Sequence, residues 1–139
     1  MRKIVLLILI CICICIMMVF TSCTIAPDAP TEGVWYCEKL QLVIEFEESK
    51  TAVYSYDENL SHMNLQVRDW NDGGFDIICD NEGEIVEIYS GWRKETNNNR
   101  FVILLYSKAN PDDDFKTQIA LDDEEYTFIR VENLEEIKQ

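Results

Sequence analysis

Few residues in this chain have the type and spacing that do chemistry. His62 is the only histidine among 139 residues, and its polar stretch, Glu58 to Asn64, is the setting of an exposed loop residue rather than of a general base. No serine, cysteine or lysine occupies a nucleophile motif with a local glycine turn, and carboxylate pairs in so acidic a chain carry no information about glycoside hydrolysis. Asp69, Asn71, Gly74 and Asp80 reproduce part of a calcium loop, with Gly74 at its sixth place and Asp80 at its twelfth. Gly73 stands at the fifth place, where an oxygen ligand is preferred, and Asp76 at the eighth, where an apolar residue belongs. An ordinary Gly-Gly turn is therefore expected. Asp112, Asp113 and Asp114, after Pro111, form a denser oxygen cluster, and such runs mark solvated loops. The expectation is no enzyme, no cofactor and no dedicated metal site.

The thiols say more. Cys11, Cys13 and Cys15 alternate with isoleucines inside an uninterrupted apolar run from Ile4 to Phe20, which Arg2 and Lys3 precede. Thr21 and Ser22, both small, then lead to Cys23. A basic start, an apolar middle and small residues before a cleavage point make an export signal, and the cysteines inside the run leave with it. The run of 17 residues, Ile4 to Phe20, sits at the short limit of the roughly 17–25 needed to span hydrocarbon. No basic stop-transfer cluster follows it. An uncleaved transmembrane anchor is the competing reading, and a soluble secreted product a third.

Phe20, Thr21, Ser22 and Cys23 resemble the lipobox of bacterial lipoprotein signals, in which a peptidase cleaves just before a cysteine whose thiol has received a diacylglycerol. The family usually has Leu at the place of Phe20. The resemblance implies that residues 1–22 are a signal peptide and that Cys23 becomes a lipidated N-terminus. It places the protein on the extracytoplasmic face of the cell membrane, with that membrane as its first partner. Buried acyl methylenes contribute about 0.8 kcal/mol each, so two chains anchor without any helix.

Loss of Arg2 and Lys3 moves the formal charge from −14 to −16. A chain this acidic lacks the basic patch that neutralises phosphates, which excludes nucleic acid as a partner. The same charge keeps a small exported domain soluble and monomeric, and opposes contact with anionic lipid. Residues 23–32 read as the lipidated cysteine and a tether: Thr24 to Thr31, with Pro27 and Pro30, have no apolar periodicity and reach roughly 25 Å when extended. Residues 33–131 fit one domain with one core, and 132–139 a charged tail that frays or forms a last helical turn.

Within that domain the apolar period is two. Leu40, Leu42, Ile44 and Phe46 alternate with polar or outward neighbours, and Ser49 and Lys50 mark a turn into Thr51 to Tyr56. Met63, Leu65 and Val67 repeat the pattern, as do Phe75, Ile77 and Cys79 after Gly73 and Gly74. Asn81 to Gly83 turn into Glu84 to Trp92, and Asn97 to Asn99 into Arg100 to Tyr106, apolar on both faces and so central. Lys116 to Leu121 and Tyr126 to Val131 read as a closing hairpin across Asp122 to Glu125. With Trp35 to Glu38 in front, the fold class is all-β, an antiparallel meander of about eight or nine strands. It closes as a barrel, which removes exposed edges, or folds as a β-sandwich. Phe46, Tyr54, Phe75, Trp92 and Phe128 are candidates to fill a narrow lumen.

Gly33, Val34 and Trp35 resemble the G-x-W signature of lipocalin-like (calycin) barrels, which opens the first strand and lets the tryptophan plug one barrel end. In that family a basic residue near the last strand packs across the indole, and Arg130 is the matching candidate. The resemblance covers the two ends of the chain and implies a closed barrel, hollow or filled. A simply buried Trp35 is the competing reading. Cys37 and Cys79 share the inward parity of their apolar neighbours, and an exported location permits a disulfide worth about 3–4 kcal/mol by the entropic argument. Two buried free thiols are the equal alternative.

Two functional readings follow. One is a lipid-anchored, non-catalytic barrel that binds an unknown small or peptidic ligand. The other is a solid-cored interaction or inhibitor module that meets an envelope protein through loops such as Asp69 to Gly74 and Asn110 to Asp114. Membrane retention of the Cys23→Ala chain separates the anchors: fractionation should find it released or misprocessed, whereas full retention with the apolar run attached supports the transmembrane alternative.

Overall fold

Alternating side chains from Gly33 onward build eight strands in a computed structural model that describes residues 1–20, 26–48 and 50–137. They are β1 (Gly33–Cys37), β2 (Leu42–Glu47), β3 (Lys50–Ser55), β4 (Leu65–Asp69), β5 (Gly74–Asn81), β6 (Glu84–Thr96), β7 (Arg100–Ala109) and β8 (Gln118–Val131). All pair antiparallel in one sheet of order β3-β2-β1-β8-β7-β6-β5-β4. The result is a nearly closed barrel, and a single sheet rules out the sandwich.

The seam is not where a simple meander leaves it. β1 pairs with β8, through Val34 opposite Val131, Trp35 opposite Arg130 and Tyr36 opposite Ile129. The open edges are instead β3 and β4, joined by the loop 56–64. That loop tucks Leu60 into the core and ties itself with Asp57, whose carbonyl accepts from the Leu60 and Ser61 amides at 3.0 and 2.8 Å. Both edge strands are short, which limits pairing with another chain.

The expected closing hairpin is a single strand. β8 follows β7 from Gln118 opposite Ala109 to Ile129 opposite Arg100, and the acidic stretch is absorbed as a bulge. Leu105 faces Glu124 and Ser107 faces Ala120, so extra β8 residues loop out there, with Asp123 at φ 45°. A turn-rich composition predicts a reversal, whereas one partner strand long enough to hold both halves turns it into a kink.

Phe101 on β7 stands at the centre of the core. Its ring lies 5.2 Å from Phe75, 5.8 Å from Phe128 and 6.4 Å from Phe46, rings contributed by β5, β8 and β2. These aromatics, with Leu42, Ile44, Ile77, Ile88, Ile103 and Leu105, fill the barrel. Tyr54 and Trp92, expected inside, are exposed on the outer wall. For Trp92 the cause is local. Glu87 pairs with Ile78 and Tyr89 with Ile77, so Ile88 is an extra residue that reverses the parity of β6 beyond it, and at Gly91 the β7 backbone comes so close that only glycine fits.

The segment before β1 is no free tether. From Ala26 on it lies against the barrel: the Pro27 carbonyl accepts from Arg93 Nε at 2.6 Å and the Asp28 carbonyl from the Thr96 hydroxyl at 2.6 Å. Ala29 packs on the core and Pro30 is buried. A stretch without apolar periodicity still offers carbonyls, and the buried Arg93 needs them. At the other end Asn133 caps a short 3-10 turn, Leu134–Glu136. The helix α1 (Arg2–Phe20) is apolar all round, and its described side chains, to Cys15, are exposed. Among the described residues no helix is long and apolar enough to cross a membrane. Thr21, Ser22, Cys23 and Ser49 lie outside the described residues.

Gly91→Ala should cost about 3 kcal/mol, because a Cβ there would sit 2.3 Å from the Leu104 carbonyl oxygen, which the β6–β7 ladder fixes. Urea unfolding followed by tryptophan emission measures it.

Candidate functional site

Gly33, Trp35 and Arg130 meet where the chain's first and last strands pair. Trp35 is 2% exposed, its indole N–H donating to the Glu32 carbonyl at 3.0 Å, and the Arg130 guanidinium stands 5.9 Å from its ring centroid. That separation is at the outer limit of a cation–π contact. Gly33 has φ +98°, and a Cβ on it would come within 2.9 Å of Arg130 Nε. The glycine thus provides both the turn and the space for the guanidinium. Arg130 also meets Glu32 at 3.3 Å, an exposed pair that contributes under about 1 kcal/mol. A groove of about 390 Å³ opens beside it, lined by Pro27, Asp28, Trp35, Thr96 and Arg130 among others. Trp35 belongs to the buried core here.

A second cluster covers the outer wall of β4 to β7. Asp76 on β5, 4% exposed, accepts from Arg68 Nε at 3.1 Å, Arg68 Nη2 at 2.9 Å and the Trp70 indole N–H at 2.8 Å. Arg68 bridges onward to Glu87 and lies 4.9 Å from the Trp70 ring centroid. Burial opposes the charge on Arg68, and the hydrogen bonds to Asp76 and Glu87 outweigh it, so its pKa is raised. Trp92 stacks at 5.9 Å on Tyr106, whose phenol pKa is raised by burial and then by the charges of Asp76 and Glu87. Trp70, Trp92 and Tyr106 remain 47%, 44% and 40% exposed. This is a surface of half-exposed aromatic rings on a hydrogen-bonded ionic base.

His62 is exposed at the rim of a cleft of about 370 Å³, lined by Met63, Cys79, Ile88, Asp114 and Phe115 among others. Cys79 and Cys37 are buried free thiols, so the disulfide alternative is not formed. Three strands, β8, β7 and β6, separate β1 from β5 in the sheet. Burial pushes the Cys37 thiol pKa up, away from a reactive thiolate.

The acidic motifs serve their own turns. Asp113 accepts from the Thr117 hydroxyl and the Lys116 amide, and the Thr117 bond leads in holding its pKa down. Asn110 caps the same turn through the Asp112 amide at 3.1 Å. Of the calcium-loop residues, Asp69 pairs with Arg93 and Asp80 accepts from the Gly83 amide at 3.0 Å at the far end of β5. No group of three or more potential metal ligands converges among the described residues.

No family model, curated protein or solved structure matches this chain. The outer-wall cluster escaped the sequence reading. Its signal lies in outward positions of three strands, Arg68, Asp76 and Ser90, which only the register brings into one row, and in Tyr106, the extra residue at the β6–β7 register shift.

Asp76→Ala removes the acceptor that Arg68 and Trp70 share and should destabilise by about 2 kcal/mol, whereas exposed His62→Ala should stay within about 0.5 kcal/mol. Thermal melts of both variants compare them.

Proposed function

We propose that this chain is a lipid-anchored, non-catalytic interaction module on the extracytoplasmic face of the cell membrane, acting through its outer surface. The observation that carries this reading is the filled interior: Phe46, Phe75, Phe101 and Phe128 meet at the barrel axis and leave the wall and loops to do the binding. The anchor reading is supported by Cys23 in its lipobox-like setting and by an apolar helix that the barrel leaves uncovered. A lipocalin-like ancestry is supported by Trp35 under Arg130, with Gly33 making room for the guanidinium.

The cleft beside His62 and Phe115 favours a second reading. Its volume of about 370 Å³ lies in the range of small-ligand sites, so a ligand would be held at the barrel end rather than along its axis.

Native mass spectrometry of the envelope-purified protein tests both. The expected species is a monomer that starts at Cys23, carries diacylglyceryl mass and holds no small molecule. A stoichiometric retained molecule would favour the ligand reading, and an unacylated or uncleaved chain would remove the anchor.

A further inference from the structure

Trp70, Trp92 and Tyr106 are each close to half exposed on one wall, and each has a partner there. Trp70 is fixed by its bond to Asp76 and lies over Gly74, where an added Cβ would meet its ring carbon Cδ1 at 2.8 Å. Trp92, directly opposite Gly74 on β6, leans on Tyr106. Rigid, amphipathic aromatic rings are the side chains that settle at a membrane–water interface.

The N-terminal segment reaches the barrel at the same wall. The Ala26 methyl lies 2.5 Å from the place a Cβ would take on Gly73, and the Trp92 ring lies 4.0 Å from that same place. Arg93, next along β6, grips the Pro27 carbonyl. Cys23 precedes Ala26 by three residues, a span of at most about 11 Å of extended chain. A link that short does not hold the wall clear of the surface in which acyl chains on Cys23 would be buried.

We propose that the wall formed by Trp70, Trp92 and Tyr106 docks into the headgroup layer of the membrane that holds Cys23, so that the barrel rests on this wall and presents its other surfaces outward. The proposal builds on the lipid-anchor reading. The neighbouring ions are paired, Arg68 with Asp76 and Glu87, and Arg93 with Asp69, so the contact is aromatic rather than electrostatic. It therefore needs no anionic lipid.

The test reconstitutes the purified full-length lipoprotein into phosphatidylcholine vesicles, with and without lipid brominated on its acyl chains, and reads tryptophan emission alongside the intact mass. Brominated lipid should remove about half of the emission, as Trp70 and Trp92 are the two exposed tryptophans and Trp35 is buried. In a Trp70→Leu/Trp92→Leu double variant, where Trp35 alone emits, the quenching should fall at least about fivefold. Acylated protein with unquenched emission overturns the docking while leaving the anchor standing, and gives the wall to a protein partner. Quenching that persists in the double variant also overturns it. An unacylated mass removes the anchor, and the docking with it.

Discussion

The three-residue ladder between β1 and β8 is the constraint on which the rest of the barrel depends. It brings together residues about a hundred positions apart and places Trp35 opposite Arg130. It also puts β1 in the middle of the sheet rather than at an edge, so the edges fall to β3 and β4. Closing such a distant pair before its contacts reward it is entropically slow, and it favours a core that rewards collapse from many strands at once. Phe101 meets that need, since its ring touches aromatics from β2, β5 and β8.

A filled barrel leaves binding to its outside. The outer wall of β4 to β7 is built like a small core: a buried carboxylate, Asp76, accepts three hydrogen bonds, and aromatic rings cover the ionic base. A buried charge is costly unless it is paired and bonded, and here both conditions hold. Asp76 therefore fixes the attitude of Trp70, and a half-exposed indole becomes a defined feature of the surface. The His62 cleft has no comparable framework, for its acidic neighbours Asp80 and Asp114 face a loop and a turn of their own.

Period-two alternation made most strands legible, because one buried face prints its pattern directly on the chain. Leu42, Ile44 and Phe46 and likewise Phe75, Ile77 and Cys79 follow it in both sequence and structure. Legibility ends at bulges. A parity count carries Trp92 into the lumen because the extra residue Ile88 is invisible to it, and Asp122 to Glu125 has the composition of a turn but the partner of a strand. The docking of Pro27 and Asp28 was equally hidden, since it uses backbone carbonyls that every sequence possesses. Of the sites, Gly33, Trp35 and Arg130 could be named from the chain ends, whereas the Arg68–Asp76–Trp70 group exists only once β4 and β5 are in register.

Charge then gives the barrel a direction. Around the tryptophan wall the acids are committed: Asp69 to Arg93, Asp76 and Glu87 to Arg68, and Asp72 to the Gly74 amide. Elsewhere Glu45 and Glu47 on β2, and Glu82 and Glu84 at the β5–β6 turn, have no ion-pair partner among the described residues. Carboxylates without partners repel an anionic surface and keep their hydration, so the faces that carry them turn to water. The wall is different, because each of its acids is paired with an arginine or hydrogen-bonded to an amide, and its rings gain by leaving water. Under the proposed anchoring at Cys23, the one face suited to the membrane is therefore the face on which the chain arrives.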